Sequence, residues 1–205
     1  MVEFLVSGGP LMVPIVLCSV VSVAVVLERL WALRVARVLP AGFAQEAIAR
    51  ARQGRVEDLA ALLSGSRSVA ARIGRIVVEE RADPMVRDAR LAEAGRREAA
   101  ELERYCAIVG TCASIGPLLG LLGTVQGMIA TFATVSSGGI GDMAALAGGI
   151  GVALVTTFGG LAVAIPAVVG DRYLLGRVDD RVLELEEWTS ALVRAYDEGQ
   201  QGGVP

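Results

Sequence analysis

Gly120-Leu-Leu-Gly-Thr-Val-Gln-Gly127 lies within the 66 residues from Tyr105 to Gly170, whose one formal charge is Asp142. Arginines and carboxylates crowd the chain on both sides of this stretch. A helix of roughly 20 apolar residues already spans a hydrocarbon core. A stretch this long therefore reads as two membrane crossings joined by a tight turn. The glycines and threonines inside it mark where function is expected.

The whole chain fits that reading. It has 205 residues, 54% of them hydrophobic, with a mean hydropathy of +0.58, a balance that soluble domains rarely reach. Aromatics are only 4% while glycines number 25, which suits closely packed helices better than a bulky soluble core. The net charge is -3 and every basic residue is an arginine, interleaved with acids. No basic face is sorted out for a nucleic acid. Cys18, Cys106 and Cys112 lie in or beside apolar segments, with no histidine and no Cys-x-x-Cys. They read as packing residues; no metal site and no cofactor are expected.

Residues 11–27 carry no charge and end at Glu28-Arg29-Leu30-Trp31. Counted from Gly8, about 20 residues at roughly 1.5 Å each span a core of about 30 Å. A cleavable signal peptide fits poorly, because no arginine or lysine precedes the apolar run. Residues 28–105 hold 15 arginines against 12 acids and are punctuated by Gly42, Gly54, Gly65 and Asp83-Pro84. Asp83 should cap a long charged helix with Pro84 in its first turn. No Gly-Pro break follows, so this helix is expected to continue into the membrane. Asp142 follows a glycine turn and reads as the cap of the third crossing or, alternatively, as a charge at a channel mouth.

The expected fold is an all-α membrane protein with three transmembrane helices. Its periplasmic N-terminus and transmembrane helix 1 occupy 1–30, and a cytoplasmic helical region 31–105. Transmembrane helix 2 covers 106–135, a periplasmic turn 136–142, and transmembrane helix 3 covers 143–170. A cytoplasmic C-terminal helix and tail, frayed over 199–205, fill 171–205. Helices 2 and 3 should thus extend into the cytoplasm. All 19 arginines lie at 29–104 or 172–194, so the positive-inside rule gives an N-out, C-in topology. Trp31, Tyr105 and Tyr173 then anchor the cytoplasmic interface.

At 100° per residue Pro117, Gly120, Thr124, Gly127 and Thr131 share one side of helix 2. Gly116 and Gly123 join Gly120 and Gly127 as packing positions. On helix 3, Ala153, Thr157, Gly160 and Ala164 form a similar stripe, and Val152 and Thr156 share the adjacent face. Such stripes serve as packing seams whose threonines bond back to their own helix carbonyls, or as the polar wall of an ion path. Pro117 and Pro166 kink these helices and each free a carbonyl. The helices hold no carboxylate, although a proton relay in lipid normally needs an ionisable group. An ion crossing here would need a carboxylate from another polypeptide.

At these residues the chain resembles the MotA/TolQ/ExbB proton channel family, in its ExbB/TolQ branch. The resemblance rests on Gly9-Pro-Leu-Met-Val-Pro14 with Leu27-Glu-Arg-Leu-Trp31, and on Gly116-Pro-Leu-Leu-Gly-Leu-Leu-Gly-Thr-Val-Gln-Gly-Met-Ile129. It rests also on Ala153-Leu-Val-Thr-Thr157 with Gly160-Leu-Ala-Val-Ala-Ile-Pro-Ala167. It spans nearly the whole chain and is loosest over 40–85. It implies a homopentamer around a central pore in a bacterial inner membrane. That pore would hold two single-span ExbD/TolR-like subunits, each bringing an aspartate, with a TonB/TolA-like transducer as a further partner. The family's pore-facing threonines match Thr124 and Thr157, and Thr131 and Thr156 are further ion-path candidates. ExbB and TolQ members commonly carry a glutamate where this chain has Val152. That departure leaves proton and sodium coupling both open.

The leading reading is thus a motor subunit that couples the proton-motive force to mechanical work across the envelope, in transport energisation, envelope maintenance or motility. The alternatives are a non-conducting scaffold anchoring an envelope complex and a sodium-coupled variant. An enzyme is not expected, because no nucleophile, base or metal constellation occurs.

Overall fold

The computed structural model describes residues 7–136 and 143–201. The expected turn at 136–142 and the cap or channel-mouth role of Asp142 fall almost wholly outside those residues, as do positions 202–205 of the tail. The described residues are helical throughout: α1 (Met12–Ala32), α2 (Val35–Val38), α3 (Ala41–Arg52), α4 (Val56–Gly65), α5 (Val69–Glu79), α6 (Pro84–Glu103), α7 (Cys106–Ser136) and α8 (Met143–Gln201). Three of them, α1, α7 and α8, are long and apolar enough to cross a membrane.

The chain divides into two compact units, Met1–Arg29 with Tyr105–Leu174, and Leu30–Arg104 with Leu175–Pro205. The first is apolar. Large side chains such as Val13, Leu17, Leu121, Phe132, Leu154 and Phe158 point outward and are exposed, an arrangement that suits lipid or another subunit rather than water. Its interior is rich in small residues, with Met12, Ile15 and Leu174 among the large side chains buried there. Met12 of α1 packs on Gly159 of α8, and Val26 lies against Gly170. Cys18 of α1 and Cys112 of α7, both free thiols, are neighbours across the α1–α7 contact. The Arg29 guanidinium covers the Tyr105 ring at 5.1 Å from its centroid, a cation–π contact that ties the end of α1 to the start of α7.

The second unit is a conventional helical core. Leu33, Val38, Leu59, Leu63, Val77 and Leu192 are fully or almost fully buried. Trp188 Nε1 donates to the Ala44 carbonyl at 3.2 Å, and its ring lies beside Phe43. Gly74 makes room for that indole: a Cβ there would meet Trp188 at 3.0 Å. Ser68 caps α5 by accepting from the Ala71 amide at 3.2 Å. Asp83 caps α6 by accepting from the Met85 and Val86 amides at 2.8 and 3.3 Å, with Pro84 in the first turn.

One expectation fails. The charged helix α6 does not continue into the membrane helix. It ends at Glu103; Arg104 turns extended and Tyr105 takes a φ of +74° before α7 starts at Cys106. A tyrosine rarely adopts a left-handed backbone. The Arg29 guanidinium lies over the Tyr105 ring, and the break occurs without glycine or proline.

Candidate functional site

The glycines of α7 meet the small residues of α8 along one continuous seam. A Cβ on Gly116 would stand 3.1 Å from the Gly160 carbonyl and 3.2 Å from Ala164 Cβ. On Gly120 it would stand 3.1 Å from Thr157 Cα, and on Gly127 2.8 Å from the Gly149 carbonyl. Gly123 is filled by the Thr156 side chain. Gly160 completes the seam from the other side, where a Cβ would lie 3.0 Å from Gly120 Cα. Backbone meets backbone here because no side chain intervenes, and dispersion over such a close contact holds two helices together where lipid supplies no hydrophobic drive.

Three threonines, Thr131, Thr156 and Thr157, lie in the seam with Thr124 one turn from Gly120 on α7, and each hydroxyl reaches a carbonyl. Thr124 donates to Leu121 at 2.6 Å and Thr131 to Gly127 at 2.8 Å, both within α7. Thr157 faces two carbonyls, Ala153 of its own helix at 3.2 Å and Gly120 of α7 at 3.1 Å. Thr156 likewise faces Val152 at 2.8 Å and Gly8, just before α1, at 2.7 Å. A hydroxyl has one proton, so Thr156 and Thr157 each choose between a local carbonyl and a neighbouring helix or lead-in segment.

Burial separates the four. Thr131 and Thr156 are buried within the subunit, Thr156 completely. Thr124 and Thr157 are half-buried and keep part of their surface open. Val152 lies on the Thr156 side of α8, with its side chain against Gly9. Pro117 and Pro166 both sit inside unbroken helices, and their missing N–H groups free the carbonyls of Ala113 and Ala162. Next to Pro166, α1 and α8 leave a cleft of about 260 Å³, lined by Ser19, Ser22, Val26, Ala162 and Ala167 among others.

Some neighbours were not evident in the sequence. Gly149 matters as much as Gly127, because it receives the Thr131 hydroxyl. The Gly8 carbonyl, 148 positions away from Thr156, becomes its partner. Asp171 lies against Gly110, where a Cβ would stand 3.1 Å from a carboxylate oxygen. Spacing of small residues signals the first of these; nothing local signals the other two.

Helices this apolar, locked through glycine and hydroxyl rather than charge, are those of a multi-pass membrane protein. A family model for the MotA/TolQ/ExbB proton channel family matches residues 45–187. The chain belongs to that family, and to its ExbB/TolQ-like branch. It is 34% identical over 183 residues to an ExbB-like biopolymer transport protein of Synechocystis, covering 84% of this chain and 69% of the relative. With a biopolymer transport protein of ExbB type from Vibrio cholerae it shares 30% over 192 residues, 91% of this chain and 83% of the relative. With the Tol-Pal system protein TolQ of Haemophilus influenzae it shares 36% over 102 residues, 48% of this chain and 45% of the relative. Three relatives of ExbB type are matched over 40%, 69% and 58% of their own length. Proteins of this family are energy-transducing channels of the membrane, not enzymes.

Proposed function

We propose that this chain is the inner-membrane motor subunit of an ion-driven complex. Five copies surround a pore that receives two single-span, ExbD/TolR-like partners, and a TonB/TolA-like transducer carries the work across the envelope. The orientation is N-out and C-in, so the second unit and its arginines lie in the cytoplasm.

The observation that carries the proposal is a mismatch. Thr124 and Thr157 present half-open hydroxyls in crossings that contain no carboxylate. Hydroxyls can orient water or bond an acid, but they do not ionise near neutral pH and so cannot be the titrating group of a relay. The acid must arrive on another chain. In this reading Thr124 and Thr157 contact it. Thr131 and Thr156, buried in the subunit's own seam, hold the wall of the path in register.

Val152 favours a second reading, a non-conducting scaffold or a sodium-coupled variant, because it leaves apolar a position where relatives of this type commonly carry an acid. Co-expression with a single-span, aspartate-bearing partner followed by native mass spectrometry tests the assembly. Five copies with two partners support the motor; oligomers that never take up the partner contradict it.

A further inference from the structure

In the second unit, Arg81, Pro84, Arg87, Tyr196, Asp197, Gln200 and Gln201 line a polar cavity of about 410 Å³. Its hydrogen bonding does not balance. Arg87 is 4% exposed and grips Asp197 with both terminal nitrogens, at 2.7 and 3.0 Å. Arg87 Nε is buried without a hydrogen bond and has only the Asp88 carboxylate near it, an ion pair at 3.5 Å. The Tyr196 hydroxyl is buried and equally unpaired. Arg81, exposed in the loop between α5 and α6, makes no ion pair among the described residues.

Arg81 and Arg87 stand with two carboxylates, Asp197 and the exposed Asp88, while the buried Arg87 Nε–H and Tyr196 O–H lack a hydrogen-bond acceptor. Unpaired buried donors destabilise a fold, and native proteins seldom keep them without a partner. Burial pushes the Tyr196 phenol above its ordinary range; Arg81 and Arg87 pull it down and Asp197 pushes it up. The group therefore stays a protonated donor. An acceptor with several oxygens pointing in different directions meets these requirements. A tetrahedral oxyanion does so better than a planar carboxylate, because the donors come from three separate elements: the α5–α6 loop, α6 and α8.

We propose that this cavity binds a phosphate-type oxyanion, with Arg81 and Arg87 supplying charge and Arg87 Nε and the Tyr196 hydroxyl supplying hydrogen bonds. The ligand is a free phosphate or phosphomonoester, since Asp197 lies 27 residues beyond the end of the third crossing on one continuous helix, about 40 Å at roughly 1.5 Å per residue. The site does not depend on the channel reading, since none of its residues lies in a crossing.

Calorimetric titration of inorganic phosphate into the full chain, held in phosphatidylcholine nanodiscs, tests this. We expect saturable binding with a Kd of about 1 mM or tighter. Arg81→Gln and Tyr196→Phe should each weaken it about tenfold. Both variants spare the Arg87–Asp197 fork, and unchanged thermal unfolding verifies that they fold. In nanodiscs doped with phosphatidylglycerol the binding should be unchanged; its loss there would mean that the cavity meets the lipid surface and would overturn the free anion as ligand. No saturable heat in either lipid, or undiminished affinity in either variant, overturns the proposal.

Discussion

The Thr157 hydroxyl meets the Gly120 carbonyl across the α7–α8 seam at 3.1 Å. In an α-helix that carbonyl also receives the amide of the residue four positions on, here Thr124. One backbone oxygen thus joins the two threonines that the family resemblance singles out. Their register depends on Gly120 having no side chain.

Gly120→Ala should therefore cost about 1–3 kcal/mol through overpacking, and Gly120→Leu should stop the two helices from closing and block oligomer formation. Gly65→Ala is the control, because a Cβ there meets nothing within 4 Å. Thermal unfolding and size-exclusion profiles in detergent provide the readout. A normal profile for Gly120→Leu would refute the seam as a packing element.

The Cys18 and Cys112 thiols, on α1 and α7, are free and neighbour one another. Mild oxidation with a copper–phenanthroline reagent should join them and protect both from later alkylation in the denatured chain. Full alkylation of both after oxidation would place α1 elsewhere.

In the second unit the Arg87–Asp197 pair is lopsided, its side chains 5% and 43% exposed. Asp197→Ala strands a buried guanidinium and should destabilise by about 3 kcal/mol. Arg87→Met leaves a carboxylate that water can reach and refills the volume, so its cost should be nearer about 1 kcal/mol. Denaturant unfolding of the two variants should rank them in that order. Equal costs would mean that the pair is solvated on both sides.

Much of this architecture can be read from the residues in order. The charge gap gives the apolar helices, and Asp83-Pro84 gives the start of α6, because composition and caps act locally. The stop at Tyr105 is not legible, since no glycine or proline marks it and the side chain over its ring, Arg29, lies 76 positions earlier. The same holds for Thr156: its four-residue spacing from Val152 is visible, but its Gly8 partner exists only once α1 has docked. The donor surplus around Tyr196 joins residues more than 100 positions apart, and no motif announces it.

The measurement that bears most directly on the motor reading is ion flux in proteoliposomes that hold this chain together with its single-span partner. We expect flux under an imposed gradient from the complex, none from this chain alone, and none from a complex carrying Thr124→Ala with Thr157→Ala, although that complex still assembles. Undiminished flux from the double variant would contradict the role given to the two hydroxyls. Flux from this chain without any partner would contradict the claim that the carboxylate comes from another polypeptide.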